Sequence, residues 1–380
     1  MQAGHEQMNS SVRTAILKGA GESANVGDVM MQHIAENLIK SHGFAKIHKV
    51  GHSWKPAKLH SFYRGHFAAS LMKSLRFAKI HRVRHAIDAI FVLGSIQYSD
   101  AWTTPTLLQR LENSINFHRR FPKARVIFLP ATWGTFESSH ADALARLVTG
   151  TKVLVRDKFS VDNINGLLGS PIADYCPDLA FLYPTASADL AQPFLERTFK
   201  DPTTPLMGII PNHRCIQKGV TPLQRPEDYI NFLARSKDWA VSQGFNVLGI
   251  SHMLNTDRDL GLMRDLDIKC LPINNVNLIR AIIASLTVCI SSRYHGLVSC
   301  LSHGVPVLAL GWHHKYRNLM DDMELGAHHL SVVDLPQDPS PLLNNLLGSH
   351  GEVHNKIVYK VTTAQRIIRT AIESLNTNLR

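Results

Sequence analysis

Cysteine is scarce and poorly placed for a scaffold: Cys176, Cys215, Cys270, Cys289 and Cys300 are an odd set with no C-x-x-C pair. A disulfide framework and a zinc ribbon are therefore excluded, and reduced thiols in the interior are expected. Long apolar runs are missing as well. Nothing approaches the ~18 uninterrupted apolar residues of a spanning helix, and the polar first twelve residues hold no apolar signal core. The expected location is the cytoplasm. Aromatic residues make up only 7% and rarely interleave with bases, so no nucleic-acid partner is expected. The histidine pairs His81/His85, His313-His314 and His328-His329 have no carboxylate or cysteine at ligand spacing, so no metal is expected either.

Acidic residues are absent from one long stretch. Between Glu36 and Asp88 there are eleven Lys or Arg and seven His, matching the chain's whole formal excess of +11. Within it, Phe67, Leu71, Ser74, Leu75 and Ala78 share one helical face while Lys73, Arg76, Lys79 and Arg82 lie largely elsewhere. Two readings stay open: a core-packed helix with a solvated basic face, or peripheral contact of 40–85 with anionic lipid at the inner face of a membrane.

What the sequence supplies is alternation. Short apolar runs alternate with amphipathic stretches, the pattern of βα units around mostly parallel sheets. Strands are predicted at 13–18, 88–93, 124–129 and 152–155, with helices near 28–41, 105–119, 137–149 and 159–168. A second set puts strands at 206–210, 245–250, 286–291 and 305–310, with helices near 227–243, 276–284, 294–303 and 316–324. Four prolines mark 184–205 as the linker. The expected architecture is α/β, with two Rossmann-like domains whose parallel sheets face a cleft. Residues 1–12 read as a flexible tail, 13–200 as the first domain, 201–350 as the second and 351–380 as a C-terminal helix. That helix, clearest over 354–376, is expected to pack back on the first domain.

The segment 289–316, CISSRYHGLVSCLSHGVPVLALGWHHKY, reads as strand, turn, small-residue helix and second strand. Ligands of open parallel sheets sit beyond the carboxyl ends of the strands, where Ser292, Arg293 and His295 fall. Helix-opening N–H groups favour an anion there. Arg293 offers a planar fork for carboxylate or phosphate, His295 a titratable ring and Lys315 a further cation. The plainer alternative is that Arg293 and His295 pair with local carboxylates.

Here the chain resembles the polysaccharide pyruvyl transferase family. Its S-R-[LY]-H turn, Gly-Val-Pro-Val strand and following Lys correspond to Ser292-Arg293-Tyr294-His295, Gly304-Val305-Pro306-Val307 and Lys315. Four more segments match in order: GAGESANVGDVMMQHI (19–34), FLPATWGTF (128–136), VLVRDKFSVDNINGLLG (153–169) and CPDLAFL (176–182). The chain departs at Gly94-Ser95, where a glycine-rich turn is reduced, at Thr135 in place of Pro, and at Val29 where an acid is common. The resemblance implies a fold like that of GT-B glycosyltransferases. It also implies transfer of pyruvate from phosphoenolpyruvate to a sugar, or a lipid-linked oligosaccharide, as a cyclic ketal. His295 and Asp28 would be catalytic, and Arg293, Ser292, Tyr294, Lys315 and Arg214 would bind the donor. Asn25, Gly27, Arg156 and Asp157 would complete the cleft. Phosphoenolpyruvate is a substrate, so no cofactor is implied.

The first-domain loop also fits a dinucleotide fingerprint formally, as Gly19-x-Gly21-x-x-Ala24, but the ribose-binding acid about twenty residues on is missing. Asp28 could equally be a helix cap. The rival enzyme is a retaining nucleotide-sugar glycosyltransferase, whose glutamate-containing stretch would fall where no carboxylate occurs from Arg293 to Met320. A non-catalytic polysaccharide-assembly binding protein is the third reading, supported only by the altered turn at Gly94.

Overall fold

A computed structural model describes residues 12–20, 23, 25–51, 80, 82–94, 96, 98–99, 106–217, 225–254, 258–270 and 272–379. Residues 1–11 of the tail expected at 1–12 and most of the basic segment lie outside them. Six strands, β1 Thr14–Lys18, β2 Lys46–Val50, β3 Ala89–Val92, β4 Arg125–Ala131, β5 Lys152–Val155 and β6 Ala173–Tyr175, pair in parallel in the order β2-β1-β3-β4-β5-β6. Five more, β7 Leu206–Ile210, β8 Asn246–Gly249, β9 Val288–Ser291, β10 Val307–Gly311 and β11 His329–Ser331, form a second parallel sheet in the order β11-β10-β9-β7-β8. Both faces of the central strands are covered, which is why they read as unbroken apolar runs. In β1, Ala15 and Leu17 enter one core cluster and Ile16 the other.

The helices among the described residues are α1 Val26–Ser41, α2 Leu107–His118, α3 Ala141–Val148, α4 Lys158–Leu168, α5 Gln192–Thr198, α6 Pro226–Ser242, α7 Arg258–Asp265, α8 Val276–Ala284, α9 Tyr294–Ser302, α10 His314–Asp322, α11 Ser340–Gly348 and α12 His350–Leu379. Helix α1 begins two residues before the predicted start because Asn25 caps it, its Oδ1 accepting the Gly27 N–H at 2.9 Å. Asp28 therefore sits in the first turn rather than at the cap. The predicted linker contains α5, with Pro193 at its start, where a missing N–H costs nothing.

Helix α12 ties the two halves together. Gln365 donates to the Phe181 carbonyl at 2.9 Å and Arg13 to the Leu379 carbonyl at 2.9 Å, while the His354 ring meets the Gly304 carbonyl at 2.7 Å. It thus packs back on the first sheet's side while also contacting the second. No helix of the described residues is long and apolar enough to cross a membrane.

The strand orders fix where a ligand can enter. Connections diverge between β1 and β3 in the first sheet and between β7 and β9 in the second, which leaves a crevice at each carboxyl edge.

Candidate active site

Both crevices open on one cavity of about 720 Å³. Ser23, Asn25 and Asp28 after β1 and Ile96 after β3 form its first-sheet wall. Arg214 after β7, the Arg293–His295 turn after β9 and Lys315 after β10 form the opposite wall. An isolated antiparallel bridge, Asn25 to Met253, joins the two walls at the rim.

Arg293 has an extended backbone because its N–H is held by Ser291 Oγ at 3.2 Å. Its Nε donates to Asp259 Oδ2 at 3.1 Å and its Nη2 pairs with the same oxygen. The other Asp259 oxygen accepts the His213 N–H at 3.0 Å, so this buried carboxylate holds the fork by one edge. Lys315 is buried, with Nζ 5.2, 5.3 and 5.6 Å from the ring centroids of Tyr316, Tyr294 and Trp312. Burial depresses its ammonium well below the usual lysine range, Arg156, Arg214 and Arg293 add to the depression, and Asp28 opposes it. Burial and Arg293 likewise lower Arg214. Three cations thus crowd one wall, with Asp28, which accepts from Ser23 Oγ at 2.8 Å, facing them.

His295 is 4% exposed and wedged between elements of the opposite half. A side chain on Gly27 would enter the van der Waals envelope of its Nδ1 and Cγ. Its Nε2 is buried and lies 3.5 Å from Asp178 Oδ2, within ion-pair reach but outside hydrogen-bond geometry. Gly27→Ala is accordingly expected to displace the ring and cut turnover about a hundredfold, with native circular dichroism, since alanine suits a helical position. Activity within about threefold of the parent would show that this seat is not needed.

Besides Gly27, three predicted site residues stand behind the wall instead of on it. The Ser292 hydroxyl is fully buried against Tyr229 OH at 2.7 Å, and its carbonyl accepts from Tyr316 OH and Asn212, so Ser292 locks the turn and offers a donor no side-chain contact. Arg156 pairs with Asp178 at 2.7 Å and lies 3.9 Å over the Tyr294 ring. Asp157 caps α4 through Ser160 N–H and accepts from Thr132 and, across the cleft, from Asn318. Tyr294 meets the cavity with little exposure.

Asp178, Asp259 and His252 are the site residues that sequence reasoning missed. Asp178 lay inside the quoted CPDLAFL segment, whereas Asp259 and His252 gave no signal. His252 lines the cavity beside Ser299, 3.4 Å from Nε2, and burial aided by His295, Arg293 and Arg280 keeps it far below the ordinary imidazole range.

The fold is shared with solved structures at low identity. A putative UDP-N-acetylglucosamine 2-epimerase from Listeria monocytogenes is 11% identical, with TM-score 0.55 over 91% of this chain and 90% of that one. UDP-GlcNAc 2-epimerase from Methanocaldococcus jannaschii is 10% identical, with TM-score 0.53 over 92% and 99%. An alpha,alpha-trehalose-phosphate synthase (UDP-forming) from Burkholderia vietnamiensis is 10% identical, with TM-score 0.52 over 97% and 99%. These likenesses establish the GT-B-like arrangement of two Rossmann-like halves and nothing of the chemistry. No curated protein matches by sequence. The family model for polysaccharide pyruvyl transferase, however, matches residues 25–314, from the cap of α1 to the first residue of α10. The chain belongs to the polysaccharide pyruvyl transferase family.

Proposed function

We propose that the protein transfers the pyruvyl group of phosphoenolpyruvate to a sugar of a polysaccharide or its lipid-linked precursor, closing a cyclic ketal. The observation that carries this reading is the convergence of Arg214, Arg293 and Lys315 with His295 on one cavity between the two sheets. A small donor bearing both carboxylate and phosphate suits three crowded cations and one imidazole. The balance of the reaction is simple. The methylene carbon gains a proton, one sugar hydroxyl adds to the adjacent carbon, phosphate leaves, and a second hydroxyl closes the ring. Of the two hydroxyl protons, one replaces that given to the methylene and one departs with phosphate. His295 supplies and recovers protons, and Asp28 faces it from the acceptor side.

Phosphoenolpyruvate is expected to raise the melting temperature, whereas sugar nucleotides leave it unchanged. With a galactoside, glucoside or mannoside acceptor, phosphate release should accompany a product heavier by one pyruvyl ketal. Stabilisation by a sugar nucleotide alone, with no phosphate released from phosphoenolpyruvate on any acceptor, would favour the glycosyltransferase reading.

A further inference from the structure

We infer that Asp178, carried by the first half of the chain, is the positioning residue for His295 of the second: it holds the ring by Nε2 and leaves Nδ1 to exchange protons in the cavity. The inference rests on the proposed role of His295. Asp178 follows β6 and caps a short 3-10 turn, its Oδ1 accepting the Ala180 N–H at 2.9 Å. Its Oδ2 accepts from Arg156 Nη1 at 2.7 Å and faces His295 Nε2 at 3.5 Å. Arg156 is itself fixed, since Nε donates to Thr132 Oγ1 at 2.9 Å and the guanidinium stacks on Tyr294. The Arg156 and Asp178 side chains are both 0% exposed, so neither can swing away to water.

Geometry selects the nitrogen. Nε2 is fully buried and meets no hydrogen-bond partner among the described residues, and a buried N–H left unsatisfied is costly. Asp178 is the acceptor within reach, and a shift of a few tenths of an ångström would convert proximity into a bond. Such contacts often tighten only when substrate binds. Nδ1 lies along Gly27, between Asn25 and Asp28 of the cavity wall, with no hydrogen bond to a described residue. Burial alone would raise the Asp178 carboxyl, but His295 and Arg156 outweigh it and hold it below the usual carboxylate range. The carboxylate and the ring come from opposite halves of the chain, so this pairing exists only when the halves are docked.

Nitrogen-15 NMR of histidine-labelled protein tests this without reference to activity. The His295 signals, assigned by their loss in His295→Gln, are expected to report an Nε2–H ring in the parent. In Asp178→Asn that tautomer should be lost or mixed, and kcat should fall about a hundredfold with KM for phosphoenolpyruvate within about threefold. Should the single variant fail to fold because Arg156 is left unpaired, Arg156→Met/Asp178→Asn removes the stranded cation and should show the same tautomer loss. An Nδ1–H ring in the parent, an unchanged tautomer in a folded variant, or a raised KM with kcat preserved would overturn the assignment. If the tautomers behave as expected while the parent releases no phosphate from phosphoenolpyruvate, the positioning stands and the pyruvyl reading falls.

Discussion

Arg293→Ala is expected to lower kcat/KM for phosphoenolpyruvate by about three orders of magnitude, equivalent to about 4 kcal/mol of transition-state stabilisation. The guanidinium is positioned by Asp259 before any donor arrives, so little ordering cost is left for binding to meet. The same pairing predicts a second effect. Removing Arg293 strands Asp259, which is 0% exposed and otherwise held by the His213 N–H. Breaking a fully buried pair costs about 3–5 kcal/mol; here the arginine reaches the cavity and its water, so about 2–3 kcal/mol is the better expectation. A fall of roughly 2–4 °C in melting temperature follows for a chain of this size, at an unfolding entropy of about 2.1 cal/mol/K per residue. Arg293→Ala/Asp259→Ala should recover most of the lost stability and none of the donor affinity. Steady-state kinetics and thermal melts of the single and double variants check both claims. Donor-induced stabilisation surviving in Arg293→Ala would remove this residue from the donor site.

The sheets were legible because their strands are buried on both faces. An unbroken apolar run such as LMGII at 206–210 has few other readings, and the observed β7 coincides with it. β2 was missed for the opposite reason: KIHKV lies at a sheet edge with one buried residue of five, so it carries no apolar signature. β6 and β11, of three residues each, are too short for a period to register. The S-R-Y-H turn was legible because strand-end placement is local, and Arg293 and His295 do share a cavity. What sequence could not supply was the partner of each. Asp259 lies 34 residues before Arg293, and Asp178 belongs to the other sheet's side of the cleft. Such pairings are set by how two sheets dock, which no spacing encodes. Ser292 shows the limit of strand-end placement, which grouped it with Arg293 and His295: its hydroxyl bonds Tyr229 behind the wall, since successive residues leaving a strand point to opposite sides.

Lys315→Met should separate function from stability most clearly, weakening donor binding by about two to three orders of magnitude while raising the melting temperature by a few degrees. The lysine ends in a cage of three rings, with no ion pair among the described residues and with Arg156, Arg214 and Arg293 adding to the depression of its pKa. Methionine keeps the apolar stem and removes the charge that folding had to desolvate. The pH dependence follows from the direction of the shift. The unfolded chain titrates near 10.5 and the folded one below it, so between those two values the unfolded state binds more protons. The penalty is complete below the folded value and is relieved as pH rises toward 10.5. The methionine variant's advantage should therefore be largest at neutral or lower pH and shrink in alkaline melts. An anionic donor acts in the opposite sense, since a carboxylate or phosphate beside Nζ favours the ammonium and raises its pKa. Where the pH lies near or above the depressed folded value, donor binding to the parent should thus take up protons, seen as a calorimetric heat that varies with the buffer's ionisation enthalpy. Lys315→Met should lose that dependence together with the affinity; a variant that binds phosphoenolpyruvate as tightly as the parent would show that this cation serves the aromatic cage and not the donor.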